Sequence, residues 1–103
     1  MENTIVQAVW AAKQAGEPVA LVTIIATRGS TPRKAGASML VYRDGRVTGT
    51  IGGGCAEAGV RLQALTALDE TRSFTYKVSM TGEDAANEGM ACGGSMEVFI
   101  QVV

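Results

Sequence analysis

The sequence predicts an α/β fold: a single domain in which a mixed β-sheet carries two main helices. Three observations predict it. A length of 103 residues fits one domain and leaves no room for two. Segments 3–15 and 55–69 place apolar residues at three- and four-residue spacing, whereas 19–27, 37–42, 46–51, 72–79 and 95–103 are rich in β-branched residues or alternate apolar with polar. The Asp44-Gly45 pair joins two of these runs as a tight hairpin.

In the first segment Ile5, Val6, Val9, Trp10 and Lys13 fall on one helical face. Asn3 or Thr4 can cap it and Gly16 stops it. Pro18 releases the chain into Val19–Thr27, whose Val and Ile content reads as a buried strand. Residues 27–36 hold Gly, Ser, Thr and Pro and read as a loop. Ala37–Tyr42 and Arg46–Ile51 flank the Arg43-Asp44-Gly45 turn, and the second of them runs straight into Gly52-Gly53-Gly54. Cys55 to Asp69 reads as the second helix, with Val60, Leu62, Leu65 and Leu68 apolar. In Arg72–Ser79, Phe74, Tyr76 and Val78 alternate with polar neighbours, a half-exposed strand. Residues 80–91 read as irregular or a short helical turn, and Ser95–Val103 as a final strand. Trp10, Met39, Met80, Met90 and Met96 are expected in core or edge packing.

Composition excludes several classes. A hydrophobic fraction of 47% with two prolines describes a folded chain. Nine basic against ten acidic side chains lack the basic excess of a nucleic-acid binder. The longest apolar stretch, Val19 to Ala26, falls far short of the roughly 20 residues a bilayer requires. Glu2, the absence of early Lys or Arg, and Gln7 do not describe a secretory signal, and two cysteines do not make a disulfide scaffold. The expectation is a cytoplasmic protein with reduced thiols, small enough that a homodimer would help its stability. Histidine is absent, which removes Ser-His-Asp and Cys-His catalysis and most zinc sites.

Chemistry concentrates in two echoing stretches, Gly52-Gly53-Gly54-Cys55-Ala56-Glu57 and Cys92-Gly93-Gly94-Ser95-Met96-Glu97, which hold both cysteines. A strand, three glycines and a helix bring backbone amides and a positive helix end to one point, which suits an anion or serves simply as a tight turn. The dinucleotide fingerprint G-x-G-x-x-G fails, because Glu57 stands where its third glycine belongs. Cys55 at a helix start is placed for a lowered thiol pKa, although inert packing is the commoner role of an unpaired cysteine. Cys92, ahead of Gly93 and Gly94, leaves room for a bound group to approach. Glu57 either answers the helix dipole or accepts from a ligand's N–H groups. Arg28, Arg33 and Lys34, with Ser30 and Thr31 between them, form a cationic loop suited to phosphate or carboxylate. Acidic Glu83, Asp84 and Glu88 read as a solvated loop, and no metal site is assigned to them.

Together these segments resemble the XdhC/CoxI family, accessory proteins of xanthine dehydrogenase and related molybdenum hydroxylases. The resemblance is carried by Arg28-Gly29-Ser30-Thr31-Pro32-Arg33, Gly36-Ala37-Ser38-Met39-Leu40-Val41, Asp44-Gly45, Gly49-Thr50-Ile51-Gly52-Gly53-Gly54-Cys55-Ala56-Glu57 and Cys92-Gly93-Gly94-Ser95-Met96-Glu97-Val98-Phe99-Ile100. It implies a chaperone, not a catalyst. Its cargo would be the molybdenum cofactor, a pterin with a dithiolene-held metal and a terminal phosphate, protected during sulfuration and delivered to an apo molybdenum hydroxylase. A cysteine desulfurase is the implied sulfur-supplying partner. The implied cofactor-binding residues are Arg28, Ser30, Arg33, Gly52, Gly53, Gly54, Cys55, Glu57, Cys92, Gly93 and Gly94. Larger members carry a second, dinucleotide-binding-like domain, so residues 1–103 are expected to be the N-terminal XdhC/CoxI-like domain alone. Two other readings stand beside this one: a small thiol redox protein using Cys55 and Cys92, against which the missing C-x-x-C motif counts, and a docking module that binds no cofactor.

Overall fold

A computed structural model describes residues 3–79 and 94–103. The elements run α1 (Asn3–Ala15), β1 (Val19–Arg28), β2 (Ser38–Tyr42), β3 (Val47–Gly49), α2 (Gly54–Glu70), β4 (Phe74–Ser79) and β5 (Ser95–Val102). The strands form one five-stranded sheet in the order β3-β2-β1-β5-β4.

Every pairing is antiparallel, so the sheet is not mixed as the sequence reading expected. The reason lies in the crossover. Only β3–α2–β4 connects two strands that point the same way, and it carries them to opposite edges of the sheet, where they never meet. The expected α/β character survives in the two helices, which sit on opposite faces of the sheet.

β1 is the centre. Val19, Ala20, Leu21 and Val22 are all buried, as they must be in a strand covered on both sides. Its even-numbered residues Ala20, Val22 and Ile24 join Met39, Val41, Met96, Val98 and Ile100 under α2. The helix answers with Ala56, Val60, Ala64, Ala67 and Leu68, a stripe at helical spacing whose alanines let it lie close to the strands. On the other face, Val19, Leu21 and Leu40 pack against Ile5 and Ala12 of α1. Among the described residues that helix packs mainly on β2, β3 and β1, and β5 and β4 lie beyond these contacts on the same face.

Two apolar faces differ from the sequence expectation. In α1 the inward stripe is Ile5, Ala8, Val9 and Ala12, while Trp10 is 65% and Val6 49% exposed. In α2 Leu62 is 63% exposed, and small residues take the inward positions. Large side chains drew the expected stripes, but a helix pressed against a sheet selects for fit. Met39 and Met96 are in the core as expected. The stretch 80–91, with Met80 and Met90, lies outside the described residues.

The turns follow their residues. Gly16 adopts φ 68° and the amide of Glu17 reaches back to the Ala12 carbonyl at 2.9 Å, closing α1. In the β2–β3 hairpin, Gly45 takes φ 92° and its amide donates to the Tyr42 carbonyl at 2.9 Å. Asp44 accepts there from the Arg46 amide at 3.0 Å and from Arg46 Nε at 2.7 Å. α2 ends without glycine: Thr71 itself turns left-handed (φ 51°), and the Arg72 amide donates to the Ala67 carbonyl at 3.0 Å.

Candidate functional site

Strand directions bring the singled-out loops to one end of the sheet. β1 ends there at Arg28, opposite Ser95 at the start of β5. β3 ends there at Gly49, opposite Met39 near the start of β2. The cationic loop 29–37, the glycine turn 50–54 and Gly94 therefore share an end, with the Asp44 hairpin at the other.

The loops also touch. A Cβ on Gly52 would come within 2.5 Å of Pro32 Cγ, so the glycine turn stands directly against the cationic loop. A Cβ on Gly94 would run into the carbonyl oxygens of Arg28 and Ser30. Gly94 is buried against that loop, and only glycine fits so close to another backbone. Three separate sequence motifs thus form one constellation.

Inside it Glu57 has a defined task. Its Oε2 accepts from Thr50 Oγ1 at 2.6 Å, from the Gly53 amide at 2.9 Å and from the Ile51 amide at 3.3 Å. Thr50 Oγ1 in turn accepts from the Gly52 amide at 3.0 Å. Glu57, one turn into α2, reaches back as a cap, because Gly53 at the N-cap has no side chain to do so. The carboxylate holds the turn while Gly52, Gly53 and Gly54 pass through φ 133°, 75° and 63°. The amides of Gly52 and Gly53 therefore bond inward. An anion at this helix start would be served by first-turn amides beyond Gly53.

The cationic loop is built to present its charges. Ile24 exchanges hydrogen bonds with Ala37 and Gly36 at 3.0 and 2.8 Å, fixing the loop's return, and Thr31 Oγ1 donates to the Arg33 carbonyl at 2.9 Å. Arg28, Ser30, Arg33 and Lys34 are exposed, and among the described residues none of the three cations has an ion-pair partner. Arg43, Arg46 and Arg72 each pair with an acid, whereas Lys13, Arg61 and Lys77 do not, so what distinguishes this end is that Arg28, Arg33 and Lys34 gather there.

Cys55 is the second residue of α2, immediately after the glycine turn. Cys92 and Gly93 lie outside the described residues. Among the described residues no group of three or more Cys, Asp or Glu side chains is gathered to hold a metal ion. No described helix is long and apolar enough to cross a membrane. Sequence reasoning missed Thr50 and Pro32. Thr50 was legible as a hydroxyl directly before the turn, whereas Pro32 matters through a contact between loops that no spacing reveals.

Residues 12–79 match the XdhC and CoxI family, and the chain belongs to it. A 47% identity over 87 residues relates it to the protein YqeB of Escherichia coli, covering 82% of this chain and 16% of that protein. Over 78 residues it is 42% identical to a protein of Bacillus subtilis described as a probable xanthine dehydrogenase component, covering 75% of this chain and 23% of the relative. It is 32% identical over 98 residues to the molybdenum cofactor insertion chaperone PaoD of Escherichia coli, covering 95% of this chain and 30% of PaoD. In structure it resembles a xanthine dehydrogenase of Bacillus halodurans with a TM-score of 0.80 and 29% identity, over 95% of this chain and 30% of that one. The chain thus spans less than a third of the length of each of these relatives.

Proposed function

We propose that this domain is an accessory, chaperone-type module that binds the molybdenum cofactor as cargo and helps deliver it to a xanthine dehydrogenase-type hydroxylase. One observation carries the reading: the Arg28–Arg33 loop, the glycine turn and Gly94 meet at a single sheet end, where Arg28, Arg33 and Lys34 have no ion-pair partner among the described residues. A relative named for cofactor insertion aligns with nearly the whole chain, which supports the choice of cargo.

In this reading Arg33 and Lys34 receive the terminal phosphate. An arginine fork on phosphate is the stronger kind of hydrogen bond, and an exposed loop can close on it. Ser30 adds a hydroxyl, and the start of α2 adds its positive end. The Gly52–Gly54 turn, held by Glu57, keeps bulk away so that the cargo approaches the backbone. Cys55 and Cys92 supply the soft ligands nearest the metal–sulfur centre, since thiolate suits such a centre where carboxylate does not, and Gly93 leaves room beside them. The domain performs no net chemistry. Sulfur for the cargo comes from a cysteine desulfurase partner, and the working state is a cytoplasmic homodimer.

The test is retention of freshly released molybdenum cofactor by the purified chain under anaerobic, reducing conditions. Wild type should retain it, Arg33→Ala about tenfold more weakly for one lost charge-assisted contact. Equal retention by wild type, Arg33→Ala and Lys34→Ala overturns the assignment of the loop.

A further inference from the structure

Glu97 closes the second glycine–cysteine motif, as Glu57 closes the first, but the structure gives the two glutamates different situations. Glu57 is occupied by the turn. Glu97 is exposed and makes no hydrogen bond or ion pair among the described residues. Lys77 lies directly opposite it across the β4–β5 pair, yet they form no salt bridge. Both line a depression of about 260 Å³ together with Arg28, Thr27 and Ser95.

Its position follows from strand alternation. Met96 and Val98 point under α2, so Ser95 and Glu97 point to the opposite face, and their register partners Arg28 and Lys77 go with them. This is the half of the sheet beyond the main contacts of α1 among the described residues. Arg28 and the Gly94–Ser95 step connect the depression with the candidate site at the same sheet end.

The wall combines one carboxylate with two cations, none of them in an ion pair among the described residues. The carboxylate is the wall's acceptor for a ligand edge carrying adjacent N–H donors. The ammonium of Lys77, one residue away across the strands, suits a carbonyl or ring-nitrogen acceptor beside those donors. A fused 2-amino-4-oxo pyrimidine ring presents that pattern: an amino group and a ring N–H next to a carbonyl. The volume is below the roughly 300–1,000 Å³ of ordinary small-molecule sites, so it suits one end of a larger ligand.

We infer that the depression lined by Glu97, Lys77 and Arg28 binds the ring of a 2-amino-4-oxo heterocycle, with Glu97 accepting from its amino and ring N–H groups. The inference rests on the cargo reading above, and assigns the cargo's pterin end to this face and its phosphate to Arg33 and Lys34. The cargo then lies across the end of the sheet, with Arg28 between its two ends. Guanine carries the same ring edge, so ring chemistry alone does not separate the two sources.

The experiment titrates the chain with 6-hydroxymethylpterin, followed by its fluorescence, and in parallel with guanosine. Wild type should bind the pterin. Glu97→Gln, an exposed and nearly isosteric change, should weaken it about tenfold or more with an unchanged melting temperature, and Arg33→Ala should leave ring binding intact. Guanosine binding with the same dependence on Glu97 supports a ring-edge site; a preference for the pterin supports the cargo source. Binding of neither ring, or pterin binding equal in wild type and Glu97→Gln, overturns the inference. Those outcomes leave the chaperone reading standing if Arg33→Ala still weakens retention of the whole cofactor. Ring binding that depends on Glu97, with no retention of the whole cofactor, has the opposite meaning.

Discussion

Replacing Glu57 with alanine should unfold the glycine turn before it affects anything else. The carboxylate oxygen accepts three hydrogen bonds, and the two short ones, from Thr50 Oγ1 at 2.6 Å and the Gly53 amide at 2.9 Å, carry most of the effect. A hydrogen bond to a charged group contributes about 1.5–3 kcal/mol. The site is half-buried, water can replace part of what is lost, and contacts on one oxygen do not add fully. The expected loss is therefore about 2–3 kcal/mol, at or above the top of the range for losing a helix cap. For a domain of this size each kcal/mol moves the melting temperature by about 4–8 °C, so Glu57→Ala should melt about 10–20 °C lower. Glu57→Gln keeps a carbonyl oxygen for the same donors and should lose about half as much. Thermal melts followed by circular dichroism decide it. If Glu57→Ala melts within about 2 °C of wild type but loses cargo, Glu57 is a ligand and its role as organiser of the turn is wrong.

Other perturbations separate the parts of the account. Gly52→Ala forces a side chain into Pro32 at φ 133°, and Gly94→Ala forces one into the carbonyls of Arg28 and Ser30; each should cost about 1–3 kcal/mol in denaturant unfolding, and a neutral result for both would separate the loops. Trp10→Ala should change stability by less than about 0.5 kcal/mol, because the indole is exposed; a loss of several kcal/mol would return it to the core. The Arg46 amide, and then its guanidinium, hold the Asp44 carboxyl below the usual carboxylate range. A carboxyl with a depressed folded pKa contributes stability above its unfolded pKa and loses it as pH falls through the folded one. Asp44→Asn should therefore flatten the acid limb of the stability curve below about pH 4, with its largest effect on stability above that pH and a shrinking one as pH falls, which acid unfolding measures directly.

Local chemistry was legible where one residue decides one conformation. Gly16 stopping α1 and Asp44-Gly45 closing a hairpin were both readable because backbone freedom and a side-chain acceptor act within a few residues. The end of α2 was harder to read, since Thr71 takes the left-handed cap usually left to glycine. The buried faces were legible only in part. A window of sequence weighs Trp10 and Leu62 by size, whereas the sheet surface selects Ala56, Ala64 and Ala67 by fit.

Antiparallel pairing throughout was not legible, because it depends on where the β3–α2–β4 crossover delivers its strand, and the insertion of β5 beside β1 is a long-range choice. The site shows the same division. The motifs that hold Arg28, Gly52 and Gly94 could be singled out along the chain. That they touch depends on Gly52 meeting Pro32 and Gly94 meeting Ser30, contacts between loops separated by 20 residues or more. The contrast between Glu57 and Glu97 was hidden for a related reason: both follow a glycine–cysteine motif, and only the hydrogen bonds tell the occupied carboxylate from the free one.

The most direct test of the central claim, that one end of the sheet is a single cargo site, is a backbone amide NMR titration of the isotopically labelled chain with the molybdenum cofactor under anaerobic conditions. The account predicts shifts that saturate together at Gly29, Ser30, Gly54 and Gly94, with Gly16 and Gly45 at the opposite end unmoved. Shifts centred on Gly45, or no shifts at any of these amides while the chain stays folded, would contradict it.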